Sequence, residues 1–169
     1  MAVTANPLVP VDGTLLINDG AALAYTIVYE DGDFSASNIK KGQKAVVAFR
    51  DRGATYSVRE MEDEEIEFSF SAHAVAMLGD GTTAMPTDVV AKKGVWAAAT
   101  SLLASTSGDA YLLKLTFTGE RSNFGATNDT TMVLKYCHCT IDFAEGSPGK
   151  FSVKGKAFIL STDFLTLTG

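Results

Sequence analysis

Apolar and polar residues alternate along most of this chain, and the runs are separated by short clusters of Gly, Asp and Asn, the pattern of half-buried β-strands joined by turns. Leu15 and Ile17 alternate before Asn18-Asp19-Gly20, and Leu23, Tyr25, Ile27 and Tyr29 alternate after it, which predicts a hairpin. Asp31-Gly32-Asp33 marks the next turn. A polar stretch with Lys40, Lys41 and Gly42 follows, and an extended apolar run resumes from Ala45 to Phe49, ahead of the tight connection Asp51-Arg52-Gly53. The cleanest alternation begins at Ile66. Ile66, Phe68, Phe70, Ala72, Ala74 and Ala76 share one face, and Glu67, Ser69, Ser71 and His73 share the other, wet one.

The period changes after Asp80-Gly81. Pro86, Thr87 and Asp88 supply helix-start chemistry, and Val89, Val90, Trp96, Leu102 and Leu103 fall at roughly helical spacing, which predicts one helical region. Gly94 interrupts it, so a broken helix or two shorter helices fit as well as one continuous element. Alternation returns at Tyr111, Leu113, Leu115 and Phe117, again at Val133, Cys137, Cys139, Ile141 and Phe143, and finally at Phe151, Val153, Ala157 and Ile159. The segment Gly119 to Asp129, rich in Asn, Gly and Ser, reads as an exposed loop. The sum is about seven to nine strands with one helical insertion. The expected fold is mainly β, an antiparallel β-sandwich or partly closed barrel with one flanking α-helix, in a single domain spanning residues 1–169. No internal repeat or low-complexity tract divides it.

Composition narrows the function classes. At 169 residues, 46% of them hydrophobic and 20% charged, the chain is long enough to bury a core and is neither disordered nor membrane-like in composition. No stretch approaches the roughly 18 uninterrupted apolar residues that cross a bilayer. Met1 to Val11 lacks the basic region and long apolar run of a secretory signal, so the chain is expected to be neither membrane-inserted nor exported by that route. A net charge of −6 argues against a general nucleic-acid binder, and any DNA contact is expected to slide rather than grip.

The sequence offers little catalytic chemistry. Cys137 and Cys139 flank His138, so in a strand both thiols point to one side and the imidazole to the other, and neither a disulfide nor a Cys-His pair forms readily. His73 is the only other histidine, which leaves zinc short of ligands, and buried reduced thiols are expected instead. There is no G-x-S-x-G nucleophile elbow, no P-loop and no G-x-G-x-x-G, and Gly79-Asp80-Gly81 is read as a turn. Asp31-Gly32-Asp33 lacks the later ligands and the closing Glu of a calcium loop. No enzyme activity, cofactor or metal is expected.

One feature stands above background. Glu60, Glu62, Asp63, Glu64, Glu65 and Glu67 crowd into eight residues just after Arg59. A solvated loop between two strands accounts for such a run, and so does an acidic sheet face that repels polyphosphate.

Several segments together resemble the tail tube (major tail) proteins of long-tailed bacteriophages. They are Val11-Asp12-Gly13-Thr14 leading to Ile17-Asn18-Asp19-Gly20, Tyr29-Glu30-Asp31-Gly32-Asp33-Phe34-Ser35, and Arg52-Gly53 followed by Tyr56-Ser57-Val58-Arg59. The acidic stretch before Phe68-Ser69-Phe70-Ser71 and the later Asp142-Phe143-Ala144-Glu145-Gly146 complete the set, with a mid-chain helix and Trp96 beyond it. The resemblance implies a structural virion protein that assembles into six-fold rings stacked as a hollow tube, through which DNA passes transiently. It implies as partners further copies of the chain and the tape measure, tail initiator and tail terminator proteins, and as location the virion tail, after synthesis in the bacterial host cytoplasm.

Carried onto this chain, the resemblance implies a tube wall built from Ala45 to Phe49 with Tyr56 to Glu60, and from Glu65 to Ser71. Glu60, Glu62, Glu65 and Glu67 are then lumen-facing candidates, since carboxylates repel DNA where Lys or Arg would hold it. Arg50, Arg52 and Arg59 lie in the same region and are candidates for contacts between subunits, and Lys44 makes the wall mixed in sign. Phe34 to Gly42 and Gly119 to Asp129 are candidate ordering segments between rings, with Phe34, Ile39 and Phe124 as apolar anchors. The competing readings are another phage structural component, such as a ring or tube-end protein, and a non-catalytic β-sandwich ligand-binding module. Against the latter stand a single Trp and no clustered aromatic platform.

Overall fold

The computed structural model describes residues 13–27, 33–39, 44–51, 55–63, 65–74, 76–80, 82–102, 110–119, 129–146 and 149–168, and for 44–51 and 55–63 it describes the backbone. Among the described residues ten strands carry the fold: β1 (Gly13–Asn18), β2 (Ala24–Ile27), β3 (Ser35–Ser37), β4 (Lys44–Asp51), β5 (Thr55–Asp63), β6 (Ile66–His73), β7 (Leu113–Gly119), β8 (Thr130–Ala144), β9 (Lys150–Ala157) and β10 (Leu165–Thr168). Eight of them form one antiparallel sheet in the order β2-β1-β7-β8-β9-β6-β3, with β10 paired to β8. β4 and β5 pair with each other as a separate two-stranded sheet. The mainly β antiparallel architecture with one short helix is the one the alternation predicts.

β8 organises the large sheet because its 15 residues serve two neighbourhoods. Residues 130–134 pair with β7 and β10, and residues 137–144 pair with β9. β10 thus continues the line of β9 along the same edge of β8, after an excursion through residues 158–164 that is pinned by Lys135 N–H to Phe164 O at 2.8 Å and Phe158 N–H to Tyr136 O at 3.2 Å. At the junction Tyr136 takes a left-handed backbone, φ 59°. That irregularity puts Leu134 and Cys137, three residues apart, both into the core at 1% and 0% exposure, where an unbroken strand would send them to opposite faces. Val133, which the sequence pattern groups with Cys137, is accordingly on the other phase and only half-buried.

The sheet curls without closing into a barrel. Phe34, just before edge strand β3, stacks on Phe117 of β7, with centroids 4.8 Å apart and planes 11° from parallel, although three strands separate β3 from β7 in the sheet order. The concave side holds one apolar cluster drawn from β1, β2, β6, β7, β8 and β9, including Leu15, Ile66, Phe70, Leu115 and Val153. Each large apolar side chain taken fully out of water contributes on the order of 1.5–3 kcal/mol.

The helical region caps this cluster in two short pieces. α1 (Pro86–Ala91) starts with Pro at its first position and stops at Lys92, left-handed at φ 53°, and a single 3-10 turn at Gly94–Trp96 follows, so Gly94 does break the element. Trp96 and Val89 are buried in the core. The helical pattern ends there: Leu102, expected at helical spacing, instead donates its N–H to Leu112 O at 2.7 Å, and Leu103 lies outside the described residues.

A buried carboxylate sits at each side of this cap: Asp88 ties α1 to the loop before it, and Asp19 ties Thr100, after the 3-10 turn, to the β1–β2 turn. Asp88 is 1% exposed, and its Oδ2 accepts from the N–H groups of Gly79 at 2.7 Å and Met85 at 2.8 Å, the latter being the reach-back bond of a helix N-terminus. Gly79 has no room for a side chain, because a Cβ there would lie 2.0 Å from Thr83 O. Asp19, in the β1–β2 turn and 4% exposed, accepts through Oδ1 from Ala21 and Leu23 and through Oδ2 from Thr100. Burial alone would raise the Asp19 pKa, but the backbone N–H groups of Thr100, Ala21 and Leu23 outweigh it and hold the carboxyl below the usual range.

Candidate functional site

Strand alternation that buries Phe68, Phe70, Val153 and Ala157 sends every second residue of the same strands to the convex face, and antiparallel register lines these up in rows. One row reads Ser37, Glu67, Lys156 and His138 across β3, β6, β9 and β8, and the next reads Ser35, Ser69, Lys154 and Thr140. Ser35 Oγ and Ser69 Oγ are hydrogen-bonded at 2.7 Å, and Thr140 Oγ1 donates to Lys154 O at 3.1 Å. Together these rows line a groove of about 470 Å³, with Phe158 at its edge.

The charges on this face are mixed in sign. Lys156 Nζ lies 2.8 Å from Glu65 Oε2 and 3.6 Å from Glu67 Oε1, and the hydrogen bond to Glu65, then its charge, raises the lysine pKa. Lys154 Nζ meets only Asp142 among the ion pairs of the described residues, at 3.7 Å, and both side chains are well exposed. Lys150 follows on the same face of β9. The β6–β9 face is therefore not a uniform acidic surface, and the two sequence-predicted carboxylates that the structure describes here, Glu65 and Glu67, share the single ammonium of Lys156.

The remaining acidic candidates lie on the hairpin. β5 runs through to Asp63, so residues 60–63 of the acidic run are strand rather than loop, and the register of β5 sets Val46 opposite Glu60, Val47 opposite Arg59 and Arg50 opposite Tyr56. Among the described residues neither β4 nor β5 hydrogen-bonds to any other strand. Glu62 is within β5; Arg52, at the connection, and Phe124 lie outside the described residues. Of the apolar anchors, Phe34 is engaged by Phe117 of its own chain, and Ile39 is 40% exposed beside Asn38, whose side-chain amide donates to Glu65 O at 3.3 Å.

The cysteine triplet behaves as strand geometry requires. Cys137 and Cys139 turn inward, His138 is exposed on the convex face, and both cysteines are free thiols. Burial pushes the Cys139 thiol up to about 12 and the Cys137 thiol well above its ordinary value, so both stay protonated and are poor nucleophiles near neutral pH. Among the described residues no group of three or more His, Cys, Asp or Glu is placed to hold a metal, and no helix is long and apolar enough to cross a membrane. The cross-strand pairing of Lys156 with Glu65 and Glu67 escaped the sequence reading, because it depends on a register between segments about ninety residues apart; regularly spaced lysines on a predicted strand were the available signal.

No protein-family model matches the sequence, and no curated protein matches it. Solved structures match the fold over essentially the whole chain. A chain of the sheath–tube complex of an extracellular contractile injection system, PVC, in its extended state is similar at TM-score 0.59 and 8% identity, over 98% of this chain and 94% of that one. A chain from the sheath/tube terminator of the same system is similar at TM-score 0.54 and 8% identity, over 92% and 93%. The tube-terminating cap of the anti-feeding prophage is similar at TM-score 0.56 and 10% identity, over 99% of each chain. At such identities the likeness is one of fold.

Proposed function

We propose that this chain is a structural subunit of a tail-tube-like assembly, one that associates with copies of itself to build part of a hollow tube. The observation that carries the reading is the β4–β5 hairpin: two strands of 8 and 9 residues paired only with each other among the described residues, each with a backbone edge that calls for a partner. The whole-chain likeness to chains of tube and tube-terminating structures supports it. In the finer reading, six copies form each ring, hairpins of neighbouring copies join edge to edge around a lumen, rings stack, and DNA passes through. Tape measure, initiator and terminator proteins would be the partners, and a phage tail or a phage-derived particle the setting.

The test is negative-stain electron microscopy across a concentration series, with light scattering to follow mass. Hollow tubes or six-fold rings are expected as concentration rises. A monomer at every concentration, unchanged by seeding with preformed tube ends, rejects self-assembly. A tube-end role is the second reading, favoured by the cap likeness that covers 99% of both chains. It predicts single rings that do not grow into tubes.

A further inference from the structure

β10 has a neighbour on one side: it pairs with β8, and among the described residues its other edge meets no strand. Lys135 N–H donates to Phe164 O at 2.8 Å, and Leu165 lies opposite Leu134. Peptide groups alternate in direction along a strand, so those of Thr166 and Thr168 face β8, and those of Leu165 and Leu167 face the open side. Leu167 ends the row Leu15, Phe117, Met132, Leu167, whose other members pack in or against the core, yet it is 59% exposed. The edge beyond β6 is guarded by contrast. β3 has three residues, Asn38 ends it with a left-handed backbone at φ 58°, and Phe34 is stacked on Phe117.

Register shows which strand is in line with the open side of β10. β10 continues the course of β9, and β9 carries β6 beyond it, with Ile66 opposite Ala157. β10 begins three positions further along β8, at Leu134 against Cys137. Three residues back from Ile66 is Asp63, the last residue of β5. A straight course from β6 would therefore lay Glu60 to Asp63 antiparallel against Leu165 to Thr168. β5 does not take that place in its own copy, since among the described residues it pairs with β4 alone.

We infer that β10 of one copy accepts the β5 edge of a second copy's hairpin as an added antiparallel strand. Each edge carries outward peptide groups, and backbone hydrogen bonds satisfy both, so the contact needs no complementarity of charge. Each copy gives its hairpin to one neighbour and receives one from another, a heterologous exchange that closes into a ring or propagates. The β4 edge stays available for contact between hairpins. The inference rests on the self-assembling reading above.

Substitution of Leu167 in the full-length chain separates backbone from side chain. Leu167→Pro removes an N–H on the open side and no hydrogen bond to β8, so thermal melting is expected to stay unchanged. The fraction pelleted as polymer is expected to fall about tenfold or more, because the added strand loses a partner. Leu167→Ala keeps the N–H and is expected to retain most of the polymer. A second readout identifies the occupant: p-benzoylphenylalanine in place of Thr166, in assemblies mixed from light and heavy-isotope chains. Photo-crosslinking is expected to join β10 to residues 55–63 of a different copy. If Leu167→Pro also lowers the melting temperature, the cross-link decides alone. A cross-link within one chain or to any other segment of a second copy, normal assembly of Leu167→Pro, or equal losses in the proline and alanine variants overturns the inference while leaving the tube reading intact. A wild-type chain that never associates overturns both.

Discussion

The large sheet and the β4–β5 hairpin are written in the same alternating code, yet they reach different ends. In the sheet, β6 has β9 on one side and β3 on the other, its inner residues meet those of β1, β7 and β8, and curling brings Phe34 onto Phe117. The hairpin has a comparable length of strand but only itself to pair with among the described residues. An isolated two-stranded hairpin is marginal in water, whereas a multi-stranded sheet with a buried face is not. The sheet carries the buried core, whereas the hairpin, among the described residues, is paired only with itself.

The strongest way to break this comparison is to remove the hairpin. Replacing residues 44–63 with a short Gly-Ser link is expected to abolish polymer formation in electron micrographs while leaving circular dichroism and the melting temperature close to those of the intact chain. A variant that unfolds would show the hairpin to be part of the core's support and would sink the division of labour. One that still polymerises would move association to another surface.

The converse experiment strikes the sheet's cap. Asp88→Ala leaves the buried N–H groups of Gly79 and Met85 without their acceptor. Each unsatisfied donor costs about 1–3 kcal/mol; part of this is recovered because Asp88 Oδ1 is itself buried without a partner, so a net loss of about 2–4 kcal/mol is expected. In a chain of this size that lowers the melting temperature by roughly 4–16 °C. Measured below the new transition, assembly is expected to be unaffected.

How much of this was legible in the sequence follows from the range of each interaction. Ile66 to Ala72 and Leu113 to Phe117 announced themselves because a strand with one buried face must alternate, and Pro86-Thr87-Asp88 announced a helix start because those residues satisfy local backbone needs. The phase break between Leu134 and Cys137 did not, because a left-handed Tyr136 has no side-chain signature. Strand β10 was missed: four residues, Leu165 to Thr168, are too short for a period to show. Asp19 looked like a turn residue, and its bond to Thr100, 81 positions away, is invisible without the fold. The acidic run was visible as composition, but whether a carboxylate is free or paired depended on the β6–β9 register.

A smaller effect comes from acid. The Asp19 pKa is lower folded than unfolded, where it is near 3.8, so its ionised form favours the native state. That stabilisation is fully present above the unfolded value and is lost as pH falls through the lower folded one. Asp163, held at about 2 by its bond from Lys135 and then by that from Ser161, acts in the same direction. The melting temperature is expected to fall between about pH 5 and about pH 2, and Asp19→Asn should flatten part of that slope. An unchanged slope in the variant would place the acid sensitivity elsewhere.

The smallest effect sharpens the comparison most finely, because it sets two members of one acidic run against each other. Glu67 and Lys156 are 60% and 52% exposed and 3.6 Å apart, and Lys156 keeps Glu65 at 2.8 Å when Glu67 is neutralised. Exposed pairs of this kind contribute little, since water screens the attraction and both side chains lose freedom in holding it. Glu67→Gln is therefore expected to leave the melting temperature unchanged within error, at low and high salt alike, and to leave polymer mass unchanged by light scattering. Glu62 lies five positions earlier, on the hairpin, and its reversal is expected to act on association. Equal effects of the two substitutions on polymer mass would mean that the acidic run works as one surface, and the boundary between sheet and hairpin would then carry no functional meaning.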